Sequence, residues 1–259
     1  MENKSEDYYF DLRGYIRIEK ALDELLLKKL NSKINTYNEL MPGAWQGWVH
    51  RPNNPSDVIH LHNIFEMGID FESLIDHPSW IERVKHYVGG DDGLFIDESF
   101  IDIRGQGKAT RIHGGGHKRR IRTQFRYHNR EFRCGQINVL IALNDIGQGD
   151  GATMVIPGSH KSNLQHPAIK NKVSSLDNVE GAIELPLRAG DAALFVDCLA
   201  HGSARRIQPG QRRVLIIRYG PHWGNDRYGY CPSPKLLSRL TKKRRDILQP
   251  LPPLTPPSE

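Results

Sequence analysis

Apolar positions along this chain change their period once, near residue 94. Upstream, Leu22, Leu25, Leu26, Leu30, Ile34 and Tyr37 recur at helical spacing with Lys28, Lys29 and Lys33 between them, which predicts a helix over 19–40. Trp80, Val84 and Tyr87 predict a second helix over 79–88, stopped by Gly89-Gly90. Downstream, short β-rich runs alternate with glycines at 94–103, 109–113, 122–128, 136–143, 152–156, 182–187, 192–198 and 213–219. Eight short strands with turn residues between them read as a sandwich or barrel. Asp150-Gly151, between two of these runs, signals a hairpin. Residues 234–246 read as a basic helix, and the proline-rich segment 249–259 as an extended tail. The expected organisation is one domain over 1–248, with a helical part at 10–90, a β core at 94–222 and the helix at 234–246. No internal repeat is visible.

Composition narrows the class. With 38% hydrophobic and 25% charged residues among 259, the chain has the balance of a folded globular domain and enough length for a sizeable core. Its longest aliphatic run, Val139–Leu143, is far too short to span a bilayer. The polar, acidic stretch Met1–Glu6 carries no secretory pattern. Cys134, Cys198 and Cys231 are widely spaced, which suits a reducing cytoplasm and suggests neither a disulfide framework nor a zinc knuckle. The net charge of +6 is unevenly placed: Arg104 to Arg133 contains ten Lys or Arg and one carboxylate, Glu131. Such a stretch is either a solvated basic loop or the portal of an anionic substrate or cofactor. No aromatic–basic module or helical reader points to nucleic acid.

Two histidines stand out by position. His113 ends a β-rich run and opens His-Gly-Gly-Gly-His, and His201 follows an apolar run and opens His-Gly-Ser. Neutral imidazole is the commonest metal ligand, and non-haem Fe(II) oxygenases bind iron through two histidines and one carboxylate. Spacing alone is weak evidence among twelve histidines. Arg212 opens a strong β run 11 residues after His201. Its planar fork suits a carboxylate, and strand alternation turns its neighbour Arg213 to the opposite face. A phosphate loop at Gly105–Thr110 lacks the required spacing. Cys198 beside His201 lacks the helix N-terminus or partner that a reactive thiol needs, and Ser203 has no nucleophile-elbow context.

The segment Val155-Ile-Pro-Gly-Ser-His-Lys161 resembles the signature of the phytanoyl-CoA dioxygenase family. Gly190-Asp191, His201-Gly-Ser203, Arg212 and Tyr219 follow in that family's order, Gly107–His113 resembles its first ligand strand, and residues 14–23 resemble its opening strand and helix. The resemblance implies a mainly β fold with flanking helices, a double-stranded β-helix or jelly roll of cupin type. It further implies Fe(II), 2-oxoglutarate and O₂, with oxidation of a small-molecule substrate. His113 and His201 are then the iron ligands, and Arg212 with Ser203 the 2-oxoglutarate site. No catalytic residue beyond the metal centre is implied, and His160 becomes a loop residue.

One departure matters. The family's first motif is His-x-Asp, whereas here it reads His113-Gly114-Gly115. In a strand, Gly115 faces the same side as His113 and offers no donor. Three readings compete. The slot is vacant and takes water or chloride, giving halogenase-like chemistry; or His117 or Glu131 fills it; or the strand is misaligned or iron chemistry is lost, leaving a silent ligand-binding module. Misalignment to His128 puts Arg130 in the slot, which is worse. Asp197, four residues before His201, lies about 13 Å away in an extended strand and is too far to share an ion.

Overall fold

The computed structural model describes residues 4–53, 58–89, 93–118, 120–170, 179–224 and 231–248. Thirteen strands are formed among them: β1 (Tyr15–Ile18), β2 (Trp45–Gln46), β3 (Val49–His50), β4 (Val58–His62), β5 (Leu94–Arg104), β6 (Tyr127–His128), β7 (Glu131–Phe132), β8 (Ile137–Ala142), β9 (Thr153–Val155), β10 (Ile183–Leu185), β11 (Ala192–Val196), β12 (His201–Ser203) and β13 (Arg212–Pro221). The α-helices are α1 (Lys4–Arg13), α2 (Glu24–Asn35), α3 (Ile69–Glu72), α4 (Ile81–Val88), α5 (Pro167–Lys170), α6 (Pro234–Arg239) and α7 (Lys242–Leu248). An eight-stranded antiparallel sheet runs β1-β11-β8-β13-β5-β4-β3-β2, and a small sheet β10-β9-β12 faces it. This is the expected jelly roll.

The central strands β8, β11 and β13 are almost wholly buried because both faces of the large sheet are covered. Along β13 the side chains divide by parity. Arg212, Val214, Ile216 and Arg218 line a cavity between the sheets. Arg213 turns to the helical side, where its guanidinium donates to Asn31 and Asn35 of α2. Tyr219 also faces the helices. It is fully buried, and its hydroxyl accepts from Trp80 Nε1 at 3.0 Å and donates toward the carbonyls of Leu74 and Ile75.

Several sequence expectations shift. The first helix is 24–35 rather than 19–40, because Asp23 caps it by accepting from Leu26 N–H. The second begins at Ile81 and ends at Gly89, where φ is +78° and a side chain would strike Phe132 O; Gly90 lies outside the described residues. The run 122–128 is not a strand: 121–123 is a 3₁₀ turn, and Tyr127–His128 pair with Glu131–Phe132 in a two-stranded ribbon. No further sheet extends it, and its apolar contact with the core comes from Phe125 and the ribbon partner Phe132. Asp150-Gly151 makes no hairpin, because β8 and β9 belong to different sheets; there Asp150 accepts from Gly147 N–H and pairs with Arg206. The C-terminal helix is broken in two at Leu240-Thr241. Helix α1 and strands β2–β4 were not anticipated, and 249–259 lies outside the described residues.

Replacing Tyr219 with Phe leaves the Trp80 N–H and the 74–75 carbonyls without their buried partner, at a cost of about 1–3 kcal/mol. The urea midpoint of Tyr219→Phe is expected to fall accordingly with an unchanged m-value.

Candidate metal centre and cosubstrate pocket

His113 and His201 are joined by a backbone bridge. His113 N–H donates to His201 O at 2.9 Å and His201 N–H to His113 O at 2.8 Å. The segment 107–113 thus runs beside β12 as a fourth, irregular strand of the small sheet, with Thr110 N–H bonded to Ser203 O. Directly paired residues send their side chains to the same face, and the two imidazole centroids lie 4.2 Å apart.

Their tautomers are fixed. His201 Nδ1 lies 2.6 Å from Leu199 O and His113 Nδ1 3.3 Å from Arg111 O. A carbonyl only accepts, so each Nδ1 carries the proton and each Nε2 keeps a lone pair, the arrangement of a histidine metal ligand. Burial, reinforced by His113, pushes the His201 pKa down to about 3. Burial also lowers that of His113, although His113 keeps one side open at the cavity mouth. Both are neutral at physiological pH and fit a divalent metal.

The cavity beside them has a volume of about 290 Å³, and its wall includes Arg212, Ser203, Thr153 and Thr110. This is near the lower end of the roughly 300–1,000 Å³ usual for small-ligand pockets. Arg212 is 2% exposed, and burial pushes its pKa down to about 10, so it remains charged. Its one described partner is neutral, Thr153 Oγ1 at 2.9 Å, and its Nε has none. Asp102 favours the charge through space, but that carboxylate is bonded to His60 Nδ1 at 2.6 Å. Arg104 and Arg206 lie nearby, equally buried. A buried guanidinium with unused donors, in a cluster rich in cations, is a receptor for a carboxylate. Ser203 lines the same cavity, with its N–H bonded to Thr110 Oγ1.

The Pro-Gly-Ser-His motif braces both histidine-bearing segments. Ser159 Oγ accepts from Ala200 N–H, one residue before His201, and Ser159 O accepts from Gly116 N–H in the loop after His113. His160 is buried away from the two histidines; its Nε2 meets Asp11 O at 3.0 Å, and its ring packs edge-on against Phe125.

The glycine run is not a strand. Gly114 and Gly115 have φ of +89° and +110°, so Gly115 does not repeat the facing of His113. A Cβ at Gly115 would lie 2.6 Å from His117 Nδ1, and one at Gly114 2.6 Å from Leu199 O. The space facing Gly115 therefore holds the His117 ring, and an aspartate there would be both strained and crowded. Glu131 sits on an exposed ribbon paired with Arg133 at 2.6 Å. Among the described residues, no third His, Cys, Asp or Glu closes a metal site with the two histidines. After β11 the chain turns at 197–199, with Leu199 N–H bonded to Val196 O at 2.9 Å. Thr153, Asn138, Asp102 and Arg218 also line the cavity and were not singled out in the sequence. For Arg218 the parity of β13 was the available signal.

The comparisons agree with this architecture. The class is that of the dioxygenases, an oxidoreductase class. The signature of phytanoyl-CoA dioxygenase (PhyH) matches residues 10–214, and the chain belongs to that family. "Dioxygenase cdmD" of Talaromyces verruculosus is 22% identical over 218 residues, covering 82% of this chain and 68% of the relative. "Dioxygenase cdmA" of the same fungus is 32% identical over 85 residues, 33% of this chain and 26% of the relative. Among solved structures, HygX from Streptomyces hygroscopicus with nickel and 2-oxoglutarate aligns with a TM-score of 0.72 at 21% identity, covering 85% of this chain and 88% of that one. The α-ketoglutarate-dependent epimerase SnoN from nogalamycin biosynthesis aligns at 0.63 with 14% identity, covering 89% and 91%.

His113→Ala and His201→Ala are each expected to abolish stoichiometric Co(II) binding, measured by titration of the visible absorption. Parent-like binding by both variants would remove the pair as ligands.

Proposed function

We propose that this protein is an Fe(II)- and 2-oxoglutarate-dependent oxygenase that hydroxylates, or otherwise oxidises, a small molecule. The observation that carries the reading is one cavity holding two neutral, tautomer-locked imidazoles and a buried arginine with unused donors. His113 and His201 would hold iron through Nε2, and Arg212 with Ser203 would hold the far carboxylate of 2-oxoglutarate. Iron, 2-oxoglutarate and O₂ together supply the oxidising power when bound. The chain contributes binding and orientation: Arg212 fixes the distal carboxylate, Thr153 holds the guanidinium, and the largely apolar wall of Leu140, Phe195, Val214 and Ile216 excludes water. HygX with hygromycin B and SnoN with Fe³⁺, α-ketoglutarate and nogalamycin RO are fold relatives with small molecules bound, which supports a small-molecule substrate here.

The substrate reading extends to charge. Arg111 lines the cavity, and Arg120, Arg126 and Lys161 line a separate groove of about 800 Å³ that also borders Gly116 of the loop after His113. Both favour an anionic substrate. No helix among the described residues is long and apolar enough to cross a membrane. Cys134, Cys198 and Cys231 are all unpaired, which supports the cytoplasm as the compartment. Neither nucleic acid nor membrane forms part of this reading.

The deciding experiment is aerobic turnover. The iron-loaded protein should convert 2-oxoglutarate to succinate, and failure to do so would leave a binding module on the same fold. Arg212→Ala should weaken 2-oxoglutarate binding at least tenfold, since breaking a partly buried charge pair costs about 2–5 kcal/mol. Arg213→Ala should do little, because that side chain faces α2. The halogenase-like alternative needs room at the metal for chloride. With His117 against Gly115, chloride is expected to leave the charge-transfer band of the anaerobic iron–2-oxoglutarate complex unchanged. A saturable chloride-dependent shift would restore that alternative.

A further inference from the structure

We propose that His60 is a positioning residue for 2-oxoglutarate: by holding Asp102 on the β4 side of the large sheet, it keeps that carboxylate off Arg212. The inference rests on Arg212 being the anchor of the distal carboxylate. A buried arginine receives an incoming carboxylate only if no carboxylate of the protein already occupies its donors.

Sheet register sets up the competition. Asp102 lies on β5, which runs between β4 and β13. Opposite it on β4 is His60, and opposite it on β13 is Val214, which offers no donor. Arg212 pairs with Arg104, two residues along β5 from Asp102, and is therefore the diagonal neighbour of Asp102. Diagonal neighbours on one face of an antiparallel pair lie roughly 7–8 Å apart, within reach of a long side chain. His60, Asp102 and Arg212 line the same cavity, and Asp102 is the one carboxylate in its wall among the described residues.

Of the two arginines beside Asp102, Arg104 already donates to the Ala204 and Lys108 carbonyls. Arg212 has Thr153 Oγ1, and its buried Nε has no partner. Arg212 is therefore the cation with donors to spare for a released Asp102. Burial lowers the pKa of both arginines and Asp102 counters it, in keeping with that proximity. The carboxylate is nevertheless turned the other way: His60 Nδ1–H donates to Asp102 Oδ1 at 2.6 Å. His62, the next residue on that face of β4, approaches Glu98 instead, at 3.7 Å. His60 thus occupies the competing charge, and Arg212 stays open to the cavity.

The test is calorimetric titration of 2-oxoglutarate into the full-length, Co(II)-loaded protein, with circular dichroism melts to check folding. His60→Leu should weaken 2-oxoglutarate binding at least about fivefold, and adding Asp102→Asn to it should restore the affinity, because the competing charge is then gone. His60→Gln, whose amide can donate to Asp102 in place of Nδ1, should keep most of the affinity, and His62→Ala should bind like the parent. Parent-like binding by His60→Leu would overturn the proposal. A double variant no tighter than His60→Leu would do the same, since the loss would then come from a disturbed strand, and so would equal losses in His60→Leu and His62→Ala. If His60→Leu does not fold, Asp102→Asn decides: binding equal to or tighter than the parent's supports the competition, and weaker binding refutes it. Binding lost in Arg212→Ala but kept in His60→Leu sinks this inference alone. Parent-like binding in Arg212→Ala sinks the anchor reading with it.

Discussion

The site depends on one pair of backbone hydrogen bonds, the exchange between His113 and His201. These residues are 88 positions apart, and closing so long a loop has an entropic cost that two hydrogen bonds do not offset by themselves. The closure is offset elsewhere, by the apolar strands β8, β11 and β13 and by the β12–β9 ladder that carries His201. Once the bridge is made, pairing geometry places both imidazoles on one face at 4.2 Å. The carbonyls two residues upstream then fix both tautomers. The chemistry of the site follows from sheet register more than from side-chain contacts between the histidines.

The Pro-Gly-Ser-His element acquires its meaning from the same bridge. It contributes no group to the cavity. Ser159 instead ties the backbone beside His201 to the loop beyond His113. The glycines at 114 and 116 permit that tie, because a side chain at either would collide with the Leu199 or His160 carbonyl. Gly115 therefore belongs to a tightly wrapped loop, and its lack of a carboxylate is a consequence of how the loop is packed.

Charge also organises the opposite end of the cavity. Arg104, Arg206 and Arg212 are all nearly inaccessible, yet Arg206 alone has a direct ion pair, with Asp150. Arg104 donates to the Ala204 and Lys108 carbonyls, whereas Arg212 has only a threonine hydroxyl among the described residues. Desolvation makes such a cluster of cations costly to bury unless anionic groups compensate it. The cavity thus has an end with two neutral imidazoles and a cationic end, joined by the apolar stripe of Val214 and Ile216.

The period change at residue 94 and most strands of the β core were legible in the sequence, and His113, His201, Ser203 and Arg212, singled out there, all line one cavity. Hydrophobic alternation and motif chemistry are local properties, and they survive without knowledge of the partners. The facing of Arg212 against Arg213 was legible for the same reason, since parity along a strand needs no tertiary information. Parity failed at Gly115, because glycine escapes the strand conformation on which the rule depends. Strands β2 and β3 were too short to show a pattern, and Asp102 and Asn138 are ordinary polar residues until the sheets close over them. Sequence determined which side chains were available and most of the strands that carry them. The tertiary structure alone decided which charges meet, because that depends on loop conformations and sheet register set by packing across the whole domain.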